Sequence, residues 1–458
     1  MTTETPVLIV GAGPGGLTAA ATLARYGIGF LLVERRTELS SLPRATGVST
    51  RTMELMRSFG IEDEVRAGGD DVEWIQWFCE SLARADAGRG IPTGFPSREQ
   101  CSVISPTSPA CVPQDHLEPV LLEYIRSLGV GRVELGTEVL GLEQRPGGVR
   151  AHLRGSTVDA RYVIAADGAH SRIRQSLGIE MRGPDNLLGA VSALFRAPLW
   201  ELVGERRYGI YIVTHPDAEG VMLPAGDGDR WLYGVTHEPG SPLANLTEAE
   251  MAARIELAAG VPGLEPRIER IGGFTFAAKM ADRYREGNAF LIGDAAHRAT
   301  PRGGTGMNTA IHDGFDLGWK LGWVLRGWAD DELLDSYERE RRPVAEHNVR
   351  QSAEPPGSPP IEAGHALAAD LGGRIPHAWV DGPGHRVSTL DLLGPGFTLL
   401  CGPECDQHEV PARVPVTARR LDLITARALG IGASGALLVR PDGAPAVAQA
   451  AAQLRAAA

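Results

Sequence analysis

The amino-acid sequence indicates an α/β protein in which a discontinuous Rossmann-like domain is interrupted by an inserted, mainly antiparallel β-sheet domain. The chain opens with an apolar strand, a glycine-rich turn, an Ala-rich helix and a second strand, the βαβ order of a dinucleotide-binding unit. Between 175 and 281 the pattern changes to short apolar runs separated by turns, which is typical of antiparallel strands. An apolar run at 289–292 then resumes the character of the first domain.

The expected domain boundaries follow from these changes of pattern. Residues 1–174 and 282–352 are predicted to form the discontinuous first domain, and 175–281 the inserted sheet domain. Residues 370–458, which follow a proline-rich linker, are interpreted as a third and smaller α/β unit. The segment 86–113 is rich in Gly, Pro and Ser and is predicted to be a loop.

Apolar spacing predicts the individual elements of the first two domains. In chain order, the first domain is expected to contain strands at 7–10, 30–34, 133–142, 149–153, 162–166 and 289–292 and helices at 17–26, 49–59, 114–127, 309–328 and 331–352. The inserted domain is expected to contain strands at 187–195, 208–213, 220–223, 231–236 and 268–276 and one helix at 247–259.

Length, charge and hydropathy exclude several classes of protein. A chain of 458 residues is long enough for two or three packed domains. Its formal net charge of -12 argues against a nucleic-acid partner, because binding phosphates requires clustered Lys and Arg. No stretch approaches ~18 consecutive apolar residues, so no membrane span is expected. A polar, acidic start and five cysteines without a regular framework predict a location in the reducing cytoplasm.

The first glycine-rich segment has the features of a phosphate-binding turn. Gly11 permits a tight turn after the first strand, Gly13 lets the backbone approach a pyrophosphate, and Gly16 lets the helix pack closely on the sheet. Glu34 ends the next apolar run, where its carboxylate can accept hydrogen bonds from both ribose hydroxyls. An acidic residue at this position predicts a ribose without a 2′-phosphate, as in FAD or NAD.

Two later acidic residues distinguish between these two cofactors. Asp167 follows the apolar run 162–166, and Asp294 follows the run 289–292. We expect Asp294 to bind a ribityl hydroxyl, which FAD possesses and NAD lacks. The glycine-rich segment 301–308 then opens a long helix, whose first amides would face the flavin and stabilise negative charge on it.

These motifs together resemble those of the class A flavoprotein aromatic monooxygenases, the family of para-hydroxybenzoate and phenol hydroxylases. The closest resemblance is to the branch that acts on polycyclic aromatic polyketides. Three segments carry it: Gly11 to Gly16, the Asp-Gly motif 166–172 and the Gly-Asp motif 293–297. The match extends over roughly residues 5 to 350, and more loosely over 373–379, 388–392 and 437–443 of the third unit.

The resemblance implies tightly bound FAD, with NADPH or NADH as a transient co-substrate because only one dinucleotide fingerprint is present. The residues expected to contact FAD are Gly11, Gly13, Gly15, Gly16, Glu34, Arg35, Arg44, Gln114, Asp167, Asp294, Pro301, Gly304, Gly306, Met307 and Asn308. Thr305 stands where the family often has Gln, so a side-chain contact from that position is not expected. The C-terminal unit is expected to be thioredoxin-like, truncated and without a CxxC pair.

The implied reaction is transfer of one oxygen atom from a flavin C4a-hydroperoxide, formed from O2, to an aromatic ring. The cofactor carries this chemistry, so no catalytic triad or metal cluster is expected. Arg44 and Arg172 are candidate helpers for NADPH, with satisfaction of loop carbonyls as the alternative. An aromatic substrate is expected to lie on the inserted sheet. The candidate lining residues, for which a place in the sheet core is the alternative, are Tyr211, Met222, Trp231 and Tyr233.

Several other functions fit parts of the pattern. The same flavin chemistry can insert oxygen beside a ketone, as in Baeyer–Villiger oxygenation, or inactivate an antibiotic by oxidation. A non-catalytic flavin-binding pathway protein is the alternative from another class. A flavin-dependent halogenase is disfavoured, because Trp74 to Trp77 lacks that family's tryptophan motif and lysines are nearly absent.

The histidines His237, His297 and His312 are expected to be structural. The chain is expected to be a monomer or a homodimer.

Overall fold

The computed structural model describes residues 2–238, 240–354, 363–382, 384–405 and 413–446. The strands, in chain order, are β1 (Thr2–Val10), β2 (Phe30–Glu34), β3 (Gly47–Val48), β4 (Glu73–Cys79), β5 (Arg89–Pro92), β6 (Ala110–Cys111), β7 (Arg132–Leu135), β8 (Val139–Arg145), β9 (Gly148–Leu153), β10 (Ser156–Ala165), β11 (Met181–Arg182), β12 (Gly189–Arg196), β13 (Tyr208–Val213), β14 (Gly220–Pro224), β15 (Arg230–His237), β16 (Arg267–Thr275), β17 (Lys279–Ala281), β18 (Arg285–Glu286), β19 (Ala289–Leu291), β20 (His297–Arg298), β21 (Trp379–Asp381), β22 (Arg386–Ser388), β23 (Phe397–Cys401), β24 (Val416–Arg420) and β25 (Ala436–Val439).

The α-helices of the described residues are α1 (Pro14–Arg25), α2 (Thr50–Phe59), α3 (Glu62–Arg66), α4 (Arg98–Ile104), α5 (Gln114–Leu128), α6 (Arg172–Ser176), α7 (Trp200–Val203), α8 (Glu248–Ala259), α9 (Gly306–Leu325), α10 (Asp335–Ser352), α11 (Ala363–Leu371) and α12 (Leu423–Ala428). None of the helices in the described ranges is long and apolar enough to cross a membrane.

The first sheet joins the two ends of the discontinuous domain. Its strands follow the order β18-β19-β10-β1-β2-β7, and β9 and β8 extend it from β10. β1 runs parallel to β2 and β10, and β10 runs parallel to β19. The apolar runs before Asp167 and Asp294 are therefore neighbouring parallel strands. Because parallel strands end at the same edge of a sheet, both carboxylates emerge beside the turn after β1.

Helix α9 packs closely on α1 because glycines face the contact. A Cβ atom at Gly314 would lie 2.2 Å from the carbonyl oxygen of Gly15, and one at Gly318 would lie 2.7 Å from the Thr22 side chain. This close packing brings the N-terminus of α9 beside the N-terminus of α1. Both helix N-termini consequently face the same cleft.

The inserted sheet recruits strands from outside the range predicted for it. Its order is β16-β12-β15-β14-β13-β4-β5, with β4 parallel to β13 and antiparallel pairing elsewhere. The boundaries 175–281 are corrected accordingly, because β4 and β5 precede them. The prediction of a loop over 86–113 is wrong in part, since this segment contains β5 and α4. The aromatic-rich run Glu73–Cys79 carries the β propensity that predicts an additional strand.

The two faces of the inserted sheet differ in what covers them. Tyr211, Met222 and Tyr233 lie side by side on adjacent strands, and their face packs on α7 and α8. The ring of Trp200 in α7 lies 4.5 Å from the ring of Trp231, measured between centroids. Because this face is buried in a core, the opposite face of the sheet is the one turned toward the first domain.

The C-terminal unit is a small sheet packed against the first domain. β23 lies between β24, which is parallel to it, and β25, which is antiparallel. The carbonyl oxygen of Pro395 accepts hydrogen bonds from Tyr26 (2.9 Å) and from the indole of Trp323 (2.8 Å). A thioredoxin-like classification of this unit stays a prediction.

Candidate functional site

The turn after β1 and the start of α1 require glycine at three positions. Gly11 has φ +109, and a Cβ there would lie 2.3 Å from the carbonyl oxygen of Ala166. A Cβ at Gly16 would lie 2.1 Å from the carbonyl oxygen of Gly11, and one at Gly15 would lie 2.8 Å from that of Ala310. These glycines are therefore required by the close packing of strand and helices.

Gly13 differs from these three glycines. It is the N-cap of α1, and a Cβ there would meet no protein atom within 4 Å. Its backbone borders open space at a helix N-terminus, where unpaired amides and the helix dipole favour an anion. This is the arrangement that a pyrophosphate needs.

Glu34 is fixed beside this turn by backbone donors. Its carboxylate accepts hydrogen bonds from the amides of Ala12 and Arg36, both at 3.0 Å. A carboxylate has about four acceptor positions, so capacity remains for ribose hydroxyls. The neighbouring Arg35 is exposed, and no described residue contacts its guanidinium by a hydrogen bond.

Asp167 lies at the end of β10 with one oxygen unsatisfied. Its Oδ2 accepts the amide of Ile173 at 3.2 Å, whereas Oδ1 is buried without a hydrogen-bond partner. Burial raises the pKa of this carboxyl, partly offset by hydrogen bonds from Ser171 and the backbone. An unpaired buried carboxylate oxygen is costly, which indicates a ligand that donates to it.

Asp294 combines exposed surface with a position deep inside the protein. More than a third of its surface is accessible, although protein atoms surround it closely enough that burial raises the pKa of its carboxyl. The two observations agree if Asp294 lies on the wall of a deep cleft. Neighbouring His297, Arg298 and Arg44 oppose the rise in pKa.

The N-terminus of α9 forms the next wall of the cleft. Gly304 has φ +64, and its amide donates to the carbonyl of Pro301 at 3.1 Å, which shapes the loop. The first amides of α9, at Gly306 and Met307, have no acceptor within the helix. The hydroxyl of Thr305 is buried without a partner. The loop therefore presents donors toward the cleft.

The side chain of Asn308 is used entirely within the protein. Its Oδ1 accepts from the Ser49 amide (2.9 Å) and the Thr52 hydroxyl (2.8 Å). Its Nδ2 donates to the carbonyls of Gly47 (2.9 Å) and Gly304 (3.0 Å). Asn308 therefore joins the loop before α9 to β3, and only its backbone remains for a cofactor.

A buried ionic group that sequence reasoning missed holds the Gly-Asp segment in place. Asp313 of α9 accepts from His297 (2.6 Å), from Arg341 (2.8 Å) and from the amide of Gly293 (3.1 Å). Burial alone would raise the pKa of Asp313, but His297 and Arg341 hold it well below its ordinary value. A charged residue within the apolar face of helix 309–328 was the available signal.

The remaining predicted residues lie around the cleft in different roles. Gln114 opens α5 and donates to Glu118 at 2.7 Å. The side chain of Arg44 is exposed, and its positive charge lies close enough to Asp294 to lower the pKa of that carboxyl. Arg172 pairs with Glu138 at 2.8 Å on the surface.

The histidines that we expected to be structural have protein partners. His297 is paired with Asp313, and His312 contacts the Thr52 hydroxyl at 3.0 Å. Burial lowers the pKa of His312 well below its ordinary value. The ring of His237 contacts the carbonyl of Glu238 at 3.0 Å.

The expectation that four residues of the inserted sheet line the substrate site is corrected by their burial. Tyr211, Met222, Trp231 and Tyr233 have 0% exposed surface in the core between the sheet, α7 and α8. The hydroxyl of Tyr233 donates to the carbonyl of Ala218 at 2.9 Å, and that of Tyr211 donates to the carbonyl of Arg206 at 2.5 Å. The alternative interpretation, a place in the core, is the one observed.

The opposite face of the same sheet is directed at the first domain. Arg230 of β15 pairs with Asp115 of α5 at 2.7 Å, and Leu232 projects to the same side two residues later. Leu232 is partly exposed and lies opposite Leu223 of β14. The sheet face that carries Arg230 thus also carries the apolar pair of Leu223 and Leu232, on the side opposite the residues that sequence reasoning selected.

An aromatic pair and a cavity lie where this sheet meets the loops of the first domain. The rings of Trp74 and Phe95 pack edge to face at 4.6 Å, and both lie close to Gly47. Phe95 also lines a small cavity of about 40 Å³, whose other walls include Thr305, Asn308 and α11.

The open turn at Gly13, the unpaired oxygen of Asp167, the accessible Asp294 and the donors before α9 fit the phosphates, ribityl chain and ring of FAD. Comparisons with known proteins agree. The family described as FAD binding domain matches residues 4–352, and that described as aromatic-ring hydroxylase, C-terminal, matches residues 368–458. The chain belongs to the FAD-dependent aromatic-ring hydroxylases: it is a flavoprotein monooxygenase of class A, and FAD is its cofactor.

Individual relatives cover nearly the whole chain. An aklavinone 12-hydroxylase of Streptomyces purpurascens is 36% identical, with 96% of this chain and 94% of the relative covered. A tetracenomycin A2 monooxygenase-dioxygenase of Streptomyces glaucescens is 34% identical, with 96% and 93% covered. A crystal structure of an aklavinone-11 hydroxylase with FAD and aklavinone is similar with a TM-score of 0.86, 33% identity, and 99% and 98% of the two chains covered.

Proposed function

We propose that this enzyme hydroxylates a polycyclic aromatic polyketide in the biosynthesis of an antibiotic-type natural product, with NADPH or NADH as reductant. The relatives named for aklavinone and tetracenomycin support the substrate class. The observation that carries the proposal is the apolar pair of Leu223 and Leu232, which lies on the face of the inserted sheet that Arg230 joins to the first domain. A flat apolar ring system can be buried there next to the flavin.

The proposed FAD contacts follow the geometry of the cleft. Gly13 and the N-terminus of α1 would hold the pyrophosphate, and Glu34 the adenosine ribose. Asp294 would accept from the ribityl chain, and the amides of Gly306 and Met307 would face the flavin ring. When bound, FAD supplies the activation of O2 that places one oxygen atom on an aromatic carbon.

The protein residues provide orientation and exclude water. The apolar pair of Leu223 and Leu232 would hold one face of the substrate, and Trp74 and Phe95 would close its edge. Removing water from this space prevents wasteful loss of the activated oxygen. The charged pair of Arg230 and Asp115 holds the sheet against the first domain at a fixed distance.

Reduction of the flavin requires a nicotinamide that binds only transiently. Arg44 is the proposed contact for its phosphates, because its exposed guanidinium lies near Asp294 at the mouth of the cleft. Arg172 is a weaker candidate, since Glu138 already pairs with it. A monomeric or homodimeric state and a cytoplasmic location stay predictions from the sequence.

The proposal is tested by NADPH oxidation with purified holoenzyme. We expect an aromatic polyketide such as an anthracyclinone to stimulate NADPH consumption and to gain a hydroxyl group. A yellow protein that consumes NADPH equally with and without every such substrate would instead be a non-catalytic flavin-binding pathway protein.

Baeyer–Villiger oxygenation of a polyketide ketone is the second candidate, and oxidative inactivation of an antibiotic is a third. The relative named as a monooxygenase-dioxygenase supports considering reactions other than simple hydroxylation. Product analysis separates the candidates: a lactone indicates ketone insertion, whereas an intact ring system with a new phenol indicates hydroxylation. Loss of antibiotic activity after oxidation of a finished compound would favour inactivation.

A further inference from the structure

Asp370, near the end of helix α11, caps a helix of the first domain. Its Oδ1 lies 2.5 Å from the hydroxyl of Ser49, and its Oδ2 accepts the amide of Arg51 at 3.0 Å. Ser49 is the N-cap of α2, and the Arg51 amide belongs to the first turn, where no acceptor exists within the helix. A carboxylate at a helix N-terminus also interacts favourably with the helix dipole. Asp370 thus completes a cap that Ser49 begins.

This cap is connected to the flavin-contacting loop by a short series of hydrogen bonds. The amide of Ser49 donates to Asn308 at 2.9 Å. Asn308 donates in turn to the carbonyls of Gly304 (3.0 Å) and Gly47 (2.9 Å). Any shift of Asp370 that moves Ser49 therefore changes the acceptor geometry at Asn308, and with it the backbone at Gly304.

The same helix forms a wall of the cavity described above. Ala366, Leu367, Ala369 and Asp370 of α11 line it, opposite Phe95 and Thr305. Helix α11 both lines the cavity and caps α2. A change in its position can therefore change the geometry of the loop before α9. The contact lies between the C-terminal family segment and the FAD-binding domain, so it requires both.

We propose that Asp370 is a positioning residue, which makes the geometry of the flavin loop depend on the docking of α11 over the cavity. The proposal rests on the flavin-dependent hydroxylation argued above. When α11 is docked, NADPH oxidation yields hydroxylated product. When it is not, the two electrons of NADPH reduce O2 to hydrogen peroxide, with one proton taken from solvent, and no substrate bond forms.

The charges around Asp370 set its response to pH. Arg51 and Glu54 face it from α2, while His312 of α9 and His347 of α10 line the same cavity. Burial raises the pKa of Asp370 to about 6, against the hydrogen bonds of Ser49 and Arg51. A raised carboxyl pKa means that docked Asp370 binds its proton more tightly than undocked Asp370. Docking should therefore weaken as the pH rises from about 4 through 6.

The test compares two substitutions at Asp370 with a matched control. D370A removes both contacts, whereas D370N keeps a donor for Ser49 and an acceptor for Arg51 without the charge. The control is D391A, which removes another ion pair between the C-terminal unit and α2, Arg57 to Asp391 at 2.9 Å. That pair lies at the other end of α2 and has no connection to Asn308.

We expect D370A to raise the peroxide formed per NADPH and the dissociation constant of FAD by on the order of tenfold, the effect of losing the hydrogen bonds to Ser49 and Arg51. Amide hydrogen exchange over residues 303–308 should accelerate. D391A should match the wild type at neutral pH in all three measurements, and D370N, which resembles protonated Asp370, should dock at least as tightly as the wild type. After correction for the intrinsic exchange rates, protection of residues 303–308 should depend on pH between about 4 and 6 in the wild type and not in D370N.

Coupling through Ser49 is tested by S49A and by the double variant. S49A should reproduce part of the effects of D370A, because the contact between Asp370 and the Arg51 amide remains. The double variant S49A/D370A should be no worse than D370A alone, because the contact with Ser49 is already lost.

Three results would overturn the proposal: equal effects of D370A and D391A, which would mean general destabilisation of the C-terminal unit; unchanged exchange over 303–308 in D370A; or additive effects in the double variant. If the wild type oxidised no NADPH with any polyketide, the proposed function would fail, whereas FAD affinity and hydrogen exchange would still test the role of Asp370.

Discussion

The cleft around α1 and the inserted sheet face each other, but their sequences determine their functions in different ways. The cleft depends on backbone: at Gly11 and Gly16 a single Cβ atom would collide with a carbonyl oxygen. The sheet depends on side chains, and β15 alternates between core residues such as Tyr233 and partly exposed residues of the opposite face such as Leu232. Backbone requirements restrict a position to one residue type. Side-chain alternation shows that two faces exist without showing which one meets the flavin.

The largest expected effect separates the two kinds of glycine within the cleft. G16A places a Cβ 2.1 Å from the carbonyl oxygen of Gly11 and should lower the free energy of unfolding by at least about 3 kcal/mol. G13A meets no protein atom, so the fold should survive while FAD affinity falls tenfold or more, through loss of a contact worth ~1.5–3 kcal/mol. Thermal unfolding of the apoprotein and fluorescence titration with FAD distinguish them. Equal stability of both variants would refute the distinction.

The next effect tests which face of the inserted sheet meets the substrate. L232A should raise the KM for the aromatic substrate about five- to tenfold, because roughly 1 kcal/mol of apolar contact is lost. Y233F leaves the carbonyl of Ala218 without its donor and should cost about 1–2 kcal/mol of folding stability, with KM unchanged. Steady-state kinetics and chemical denaturation of the two variants show which face of the sheet contacts the substrate. A change in KM for Y233F alone would reverse the assignment of the faces.

The smallest effect concerns the two arginines at the edge of the cleft. R44A should raise the KM for NADPH by about fivefold, the value of one exposed charge contact of ~1 kcal/mol. R172A removes an exposed pair with Glu138 and should change that KM by less than about twofold. Initial rates at varied NADPH provide the measurement, with the KM for the aromatic substrate as the control. A larger change for R172A would identify it as the nicotinamide contact.

Sequence reasoning predicted the cleft well because its requirements are local. Gly11, Glu34 and Asp294 each follow an apolar strand, and parallel pairing brings those strand ends together whatever the side chains elsewhere. The role of Asn308 was harder to predict, since three of its four partners, Gly47, Ser49 and Thr52, lie more than 250 residues away along the chain. The glycine-rich pattern predicted the position of Asn308 at the start of α9, but its side-chain contacts depend on the tertiary structure.

The inserted sheet was predicted less well for a related reason. The sequence correctly suggested that Trp231 and Tyr233 share a face, but α7 and α8 decide that this face is the core. Strands β4 and β5 were missed because they join the sheet from far upstream, and Gly and Pro around β5 suggested a loop over 86–113. Which distant strands pair, and which face of the sheet is covered, depend on tertiary packing. The alternation of residues along a single strand does not predict either.

The central claim is that this cleft and this sheet together direct one oxygen atom from O2 onto an aromatic ring. A single turnover under ¹⁸O2, with NADPH and an anthracyclinone-type polyketide, tests it most directly. The claim predicts a product with one ¹⁸O atom in a new phenol, an intact ring system and little hydrogen peroxide. A product with no ¹⁸O, or NADPH consumption that yields only peroxide with every substrate, would contradict it.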